Sequence, residues 1–157
     1  MTLQELNQLA ALGEGLSLEF KRRVPRPERI AKEMIALANT NGGRILLGVA
    51  DDGTVTGVDD AAEEEFVLQR AVQAYCRPAV EYSTERVVTS TGRDVIVVTV
   101  PESFDKPHRL RTKQNAAGPA YVRVKEMSVE ASPESVALMR NGDGSAARVQ
   151  VQFGEKE

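Results

Sequence analysis

The sequence predicts an α/β (α+β) domain built on a mixed β-sheet flanked by helices. Three observations carry this. Apolar residues recur at helical spacing in 3–12, 27–38 and 60–76. Arg44–Val49 and Val95–Val100 are nearly continuous apolar runs of strand length, as buried central strands are. The two patterns interleave in the order α-β-α-β-β-α-β-β-β-α, which fits helices layered on a sheet.

The elements follow in order. Leu3, Leu6, Leu9, Ala10 and Leu12 make a short amphipathic helix ended by Gly13. Leu16 to Arg22 alternates as a strand, with Leu18 and Phe20 on either side of Glu19. Pro25 and Pro27 interrupt the chain, and Pro27 suits the first turn of a helix that runs to about Ala38. Its apolar stripe is Ile30, Met34, Ile35, Leu37 and Ala38, and Asn39-Thr40-Asn41-Gly42-Gly43 ends it, Asn and Gly tolerating left-handed backbone. After the strand Arg44–Val49, the turn Ala50-Asp51-Asp52-Gly53 leads to Thr54–Val58 as the second arm of a hairpin. Asp59 and Asp60 cap a helix to about Cys76. Val80–Val88 and Asp94–Val100 form two further strands around a hairpin-like link. Phe104 to Pro119 reads as a long polar loop containing His108, and Ala120–Lys125 as an alternating strand. Ser132-Pro133-Glu134-Ser135 starts a last helix to about Arg140. Residues 1–142 are thus expected as one domain and 143–157 as a polar tail with a strand-like patch at Val149–Phe153.

Composition excludes several classes. No apolar run reaches the roughly 18 residues of a membrane span, and no secretory leader pattern opens the chain, so a cytoplasmic location is expected. With one cysteine, Cys76, and one histidine, neither an internal disulfide nor a His/Cys zinc site is available. The net charge is −3, but the charges segregate. Lys21, Arg22, Arg23, Arg26, Arg29 and Lys32 share their segment with the single acid Glu28. Lys106, Arg109, Arg111, Lys113, Arg123 and Lys125 form a second basic run beginning at Asp105. Two such segments read either as one basic face or as separately solvated surfaces.

The carboxylates pose the chemical question. Glu19 lies within a strand, Glu14 just before it and Asp51 just past a buried strand, where sites often sit. If the two strands pair, these groups can converge, and Mg²⁺ or Mn²⁺ takes oxygen ligands of this kind to activate water on a phosphodiester. Lys21 shares a strand face with Glu19 and could meet a phosphate oxygen. The alternative is that Glu14 faces water and that Asp51 and Asp52 serve the turn. The Asn39–Gly43 segment is either a phosphate cradle or a helix end; it lacks the Lys-Ser/Thr of a P-loop. His108 reads as a surface residue beside basic groups, and Ser17 and Ser103 lack the setting of a nucleophile elbow.

The stretches GEGLSLEFKRR, IAKEMIALANTNGGRILLGVADDGTVTG and AYVRVKEMSVEAS together resemble the Schlafen-type AlbA_2 domain. The likeness covers about residues 12 to 140. It implies a three-carboxylate nuclease site whose groups fall on Glu14, Glu19 and Asp51, with Lys21 at the scissile phosphate and Mg²⁺ or Mn²⁺ as cofactor. It further implies cleavage of RNA, tRNA-like substrates included, or of single-stranded DNA. The late strand departs from the family's Tyr-x-Arg-Val-Gly-Ser, with Lys125 and Glu126 in place of Gly-Ser. Schlafen proteins carry two such lobes, which a homodimer of this chain could rebuild.

The expectation is therefore a nucleic-acid-binding domain acting as a metal-dependent endonuclease. Lys21, Arg22, Arg23, Arg26, Lys106, Arg109, Arg111 and Arg123 are expected to track the backbone, making affinity salt-dependent. Phe104 and Tyr121 are the aromatic candidates for base stacking, Tyr121 fitting a core role better. A non-catalytic DNA-binding module is the alternative, and a nucleotide-binding protein the third reading.

Overall fold

The computed structural model describes residues 1–113 and 118–142. The expected tail, with its patch at Val149–Phe153, lies outside the described residues. Among the described residues four helices, α1 (Leu3–Ala11), α2 (Pro27–Asn39), α3 (Ala61–Tyr75) and α4 (Pro133–Arg140), accompany eight strands. The strands are β1 (Leu18–Lys21), β2 (Gly43–Leu47), β3 (Cys76–Arg77), β4 (Ser83–Val88), β5 (Asp94–Val100), β6 (Arg109–Leu110), β7 (Tyr121–Val124) and β8 (Met127–Glu130).

The main sheet has the order β1-β2-β5-β4. β1 and β2 run parallel, as α2 crosses between them, and the remaining pairs are antiparallel. The sheet is therefore mixed, as expected. The two-residue side-chain period sorts it into two faces. Leu18, Phe20, Leu46, Val87, Val95 and Val97 pack under Leu6 and Ala10 of α1. Ile45, Leu47, Ile96, Val98 and Val100 pack under α2 and α3 through Ile30, Met34, Leu37, Leu68 and Val72. Each fully buried aliphatic side chain contributes about 1.5–3 kcal/mol. The sheet face under α2 and α3 is also the one that Glu19 and Lys21 join.

Helix ends follow their sequences. Thr2, Asp60 and Ser132 each accept a backbone N–H in the first turn of α1, α3 and α4. Pro27 opens α2, whose N-terminus has no side-chain cap. The end of α2 shows why Gly42-Gly43 are needed. Both have positive φ, and a Cβ on Gly43 would stand 2.4 Å from the Ser17 carbonyl oxygen. This close approach lets Arg44 N–H bond to Ser17 O at 2.9 Å, starting the β1–β2 pairing.

Four expectations are corrected. Thr54–Val58 is not a strand: only single bridges, Val49 to Val55 and Val58 to Asp94, tie it down. The Gly48 carbonyl instead accepts from both Thr56 and Gly57, which bends the arm away from a ladder. The segment 104–119 is not wholly irregular, since Arg109–Leu110 pairs with Cys76–Arg77. The strand at 121–124 is one arm of a hairpin with Met127–Glu130. His108 is buried, at 3% exposure, rather than on the surface.

Candidate nucleic-acid interface

Glu19 and Lys21 face α2 because the strand alternation that buries Leu18 and Phe20 on one side turns them to the other. There they meet Glu33 of α2 and Arg123 of β7. Lys21 Nζ lies 2.8 Å from Glu19 Oε1 and 3.5 Å from Glu33 Oε1. Arg123 Nη2 donates to Glu19 Oε2 at 3.2 Å, and Nη1 to Glu33 Oε2 at 3.0 Å. The same guanidinium also bonds the carbonyls of Gly15 (2.7 Å) and Leu16 (3.3 Å) and the Ser128 hydroxyl (3.0 Å). Two anions and two cations thus neutralise one another in the interior. No buried side-chain polar atom among the described residues lacks a partner.

Glu14 approaches from the loop before β1, where one of its oxygens accepts the Phe20 N–H at 3.0 Å. Burial pushes its carboxyl above the ordinary 4.5, and the charges of Glu19 and Asp51 push the same way, while the Phe20 amide and Lys21 oppose them. The parallel pairing of β1 and β2 brings the Asp51 turn near enough to act on Glu14. The three sequence-predicted carboxylates therefore share one electrostatic neighbourhood. As placed, however, the three are not assembled into a Mg²⁺ or Mn²⁺ ligand set. Among the described residues no group of three or more His, Cys, Asp or Glu side chains is arranged to hold a metal ion. Both oxygens of Glu19 are taken by Lys21 and Arg123, and Asp51 is exposed in its turn.

Above the buried cluster lies a groove of about 910 Å³, lined by Pro25, Arg26, Glu28, Arg29, Lys32, Glu33 and Ser128. Its three cations run at three-residue spacing from Arg26, the residue just before α2, through Arg29 and Lys32 in its first half, so they lie along one side of the helix. Its two acids are already engaged. Glu28 accepts from the Tyr75 hydroxyl at 3.0 Å, and Glu33 serves Arg123, Lys21 and Ser128. The uncapped N-terminus of α2 adds partial positive charge. Arg111 and Lys113 line a neighbouring cavity that shares Glu28, so cations of both basic segments meet on one side of the molecule. Lys32 also stands 5.3 Å over the half-buried Tyr121 ring, which occupies that ring's face.

The remaining expected backbone contacts divide. Arg22, Arg23, Arg26 and Arg111 are exposed. Lys21 is half-buried between two carboxylates, and Lys106 reaches Glu102 at 2.8 Å and the Thr40 carbonyl at 3.4 Å. Arg109 donates to the Gly118 carbonyl at 3.2 Å. Arg123, with 0% exposure, cannot track a nucleic-acid backbone, because its guanidinium is consumed inside the protein. Asn39 and Thr40 are no phosphate cradle either. Asn39 clamps the His108 backbone and the Tyr121 carbonyl, and Thr40 Oγ1 accepts the Arg123 N–H. Sequence reasoning missed Glu33. Its signal was present: Glu33 falls three residues after Ile30 and four before Leu37, on the apolar stripe.

The mixed sheet, the helices on its two faces and the basic groove define a small α/β domain with a cationic face. Residues 14–132 match the family model described as Schlafen, AlbA_2, and the chain belongs to that family. The fold is similar to the N-terminal domain of a "DNA Helicase RecG-related Protein" from Nitrosomonas europaea, with a TM-score of 0.58 at 23% identity, covering 79% of this chain and 89% of that one. It is also similar to the DIP2311 protein from Corynebacterium diphtheriae, with a TM-score of 0.59 at 18% identity, covering 90% of this chain. The match spans about a third, 32%, of the DIP2311 protein. No match was found among curated proteins. Among the described residues no helix is long and apolar enough to cross a membrane.

Proposed function

We propose that this chain binds nucleic acid through the groove between α2 and the β7–β8 hairpin. One observation carries the reading: Arg26, Arg29 and Lys32 line the groove, while of its two acids Glu33 is paired with Arg123 and Lys21 and only Glu28, which accepts from the Tyr75 hydroxyl, keeps an unpaired charge. Phosphates would meet these cations and the α2 N-terminus, and the exposed Arg22, Arg23 and Arg111 would extend the contact. The Tyr121 ring is covered by Lys32, and no aromatic side chain among the described residues lines the groove, which favours recognition of the charged backbone over base stacking. Family membership and the nucleic-acid-related name of the RecG-related neighbour support the same class. RNA and single-stranded DNA in the cytoplasm are the proposed partners, and a homodimer would present two grooves.

A second reading, metal-dependent cleavage, is favoured by the shared field of Glu14, Glu19 and Asp51. It requires a divalent cation to displace Lys21 from Glu19. One experiment tests both readings. Labelled tRNA, single-stranded RNA and single-stranded DNA are incubated with the protein in Mn²⁺ or EDTA, beside Arg29→Ala/Lys32→Ala and Glu19→Ala/Asp51→Ala variants. Binding in EDTA that the first variant loses, without cutting, supports the binding module. Mn²⁺-dependent cutting abolished in the second variant establishes the enzyme. Absence of binding to all three probes rejects both.

A further inference from the structure

On a different part of the molecule, the segment after β5 lines up a serine, a histidine and a backbone carbonyl. His108 Nδ1 lies 2.8 Å from the Pro78 carbonyl oxygen. A carbonyl only accepts, so Nδ1 carries the proton and Nε2 is left as an acceptor. Nε2 lies 2.6 Å from Ser103 Oγ, so the hydroxyl donates to it. The backbone that carries the ring is fixed, because Asn39 holds the His108 N–H (2.8 Å) and its carbonyl (3.0 Å). Ser103 is fixed in turn by its own N–H to the Ala38 carbonyl at 2.9 Å. Ser103 and His108 both line a cavity of about 260 Å³, together with Ala38, Ala79, Glu81 and Glu102. The amide of Phe104, the residue after Ser103, makes no hydrogen bond among the described residues. That is the position from which nucleophile-adjacent amides serve oxyanions.

We propose that Ser103 is an activated nucleophile toward small carboxylic esters, with His108 as its general base, the Pro78 carbonyl as orienter and the Phe104 amide as oxyanion donor. The bonds His108 Nε2–Ser103 Oγ and His108 Nδ1–Pro78 O supply the nucleophile–base and base–orienter links of such a set without a sequence motif. The Asp105 amide donates to Oγ at 2.9 Å, which leaves the second lone pair to attack. Ser103 Oγ bonds to the carbonyl carbon as its proton passes to Nε2. The ester C–O bond then breaks, and the alcohol leaves with that proton. Water hydrolyses the acyl-serine to a carboxylic acid and free Ser103. Glu81, Glu102 and Asp105 on the lining select acyl groups that are neutral or cationic.

The test uses the full chain with a fluorophosphonate probe and, separately, p-nitrophenyl acetate. The expected result is one phosphonate adduct mapping to Ser103 and one burst equivalent of nitrophenol. Both vanish in Ser103→Ala, and in His108→Asn, checked for folding by circular dichroism, the rates fall on the order of 100-fold. Absence of an adduct on the folded wild-type protein overturns the proposal, as does an adduct elsewhere or labelling of Ser103→Ala at the wild-type rate. The wild-type adduct decides the matter even where His108→Asn does not fold.

Discussion

Arg123 and Glu19 meet 3.2 Å apart in the interior, joining strands that belong to different sheets and lie 104 residues apart in sequence. The guanidinium also spans to Glu33, so one side chain ties the β7–β8 hairpin to both β1 and α2. Removing one partner of a buried ion pair leaves the other charge stranded. Arg123→Ala leaves Lys21 to serve two carboxylates alone, one net buried negative charge, and is expected to lower the unfolding free energy by about 3–5 kcal/mol. Urea denaturation checks this. An Arg123→Met, Glu33→Gln double variant, which keeps the Lys21–Glu19 pair, would show by restoring most of the loss that the cost was uncompensated charge.

Glu14 carries a pH dependence of defined sign. Its folded carboxyl titrates above the ordinary 4.5, chiefly through burial. The folded state therefore holds that proton more tightly than the unfolded one, and stability falls as pH rises through the folded value. Glu14→Gln keeps the oxygen that accepts from Phe20 and removes the charge. The variant should melt above wild type at pH 7, and the difference should close below the ordinary 4.5. A variant that melts lower at pH 7 would sink this account.

Lys125 is the one non-glycine described residue with positive φ, at 56°, and it sits in the two-residue turn between Val124 and Met127. Left-handed backbone costs a residue with a Cβ roughly 1–2 kcal/mol, and glycine's greater freedom in the unfolded chain returns part of that. Lys125→Gly is expected to gain about 0.5–1 kcal/mol by thermal or chemical denaturation. The gain would explain why the related motif carries glycine at this position.

The groove makes a prediction in salt. Replacing Arg26, Arg29 or Lys32 by Ala should weaken binding to every nucleic acid alike. Each should flatten the slope of log affinity against log salt by about 1, as loss of one phosphate contact does. Anisotropy titrations between low and physiological salt measure it. An unchanged slope in all three variants would move the interface elsewhere.

Much of this architecture was legible in the chain. Period-two alternation placed Leu18 and Phe20 on one face and Glu19 and Lys21 on the other, and period-3.6 spacing gave the buried stripe of α2. These signals are local, so local sequence suffices. The Asn-Gly-Gly segment, the carboxylate positions and the family motif were also on the surface of the text. Tertiary structure alone decided where the long polar side chains end. Arg123 alternates with Val122 and Val124 like an outward strand residue, yet it is fully buried because partners far away in sequence converge on it. Glu33 and Asn39 acquire their roles the same way, through contacts with Ser128 and His108 that span 95 and 69 residues. A charge in a sequence names what a side chain needs, and only the packed fold determines whether water, a nucleic acid or another residue supplies it.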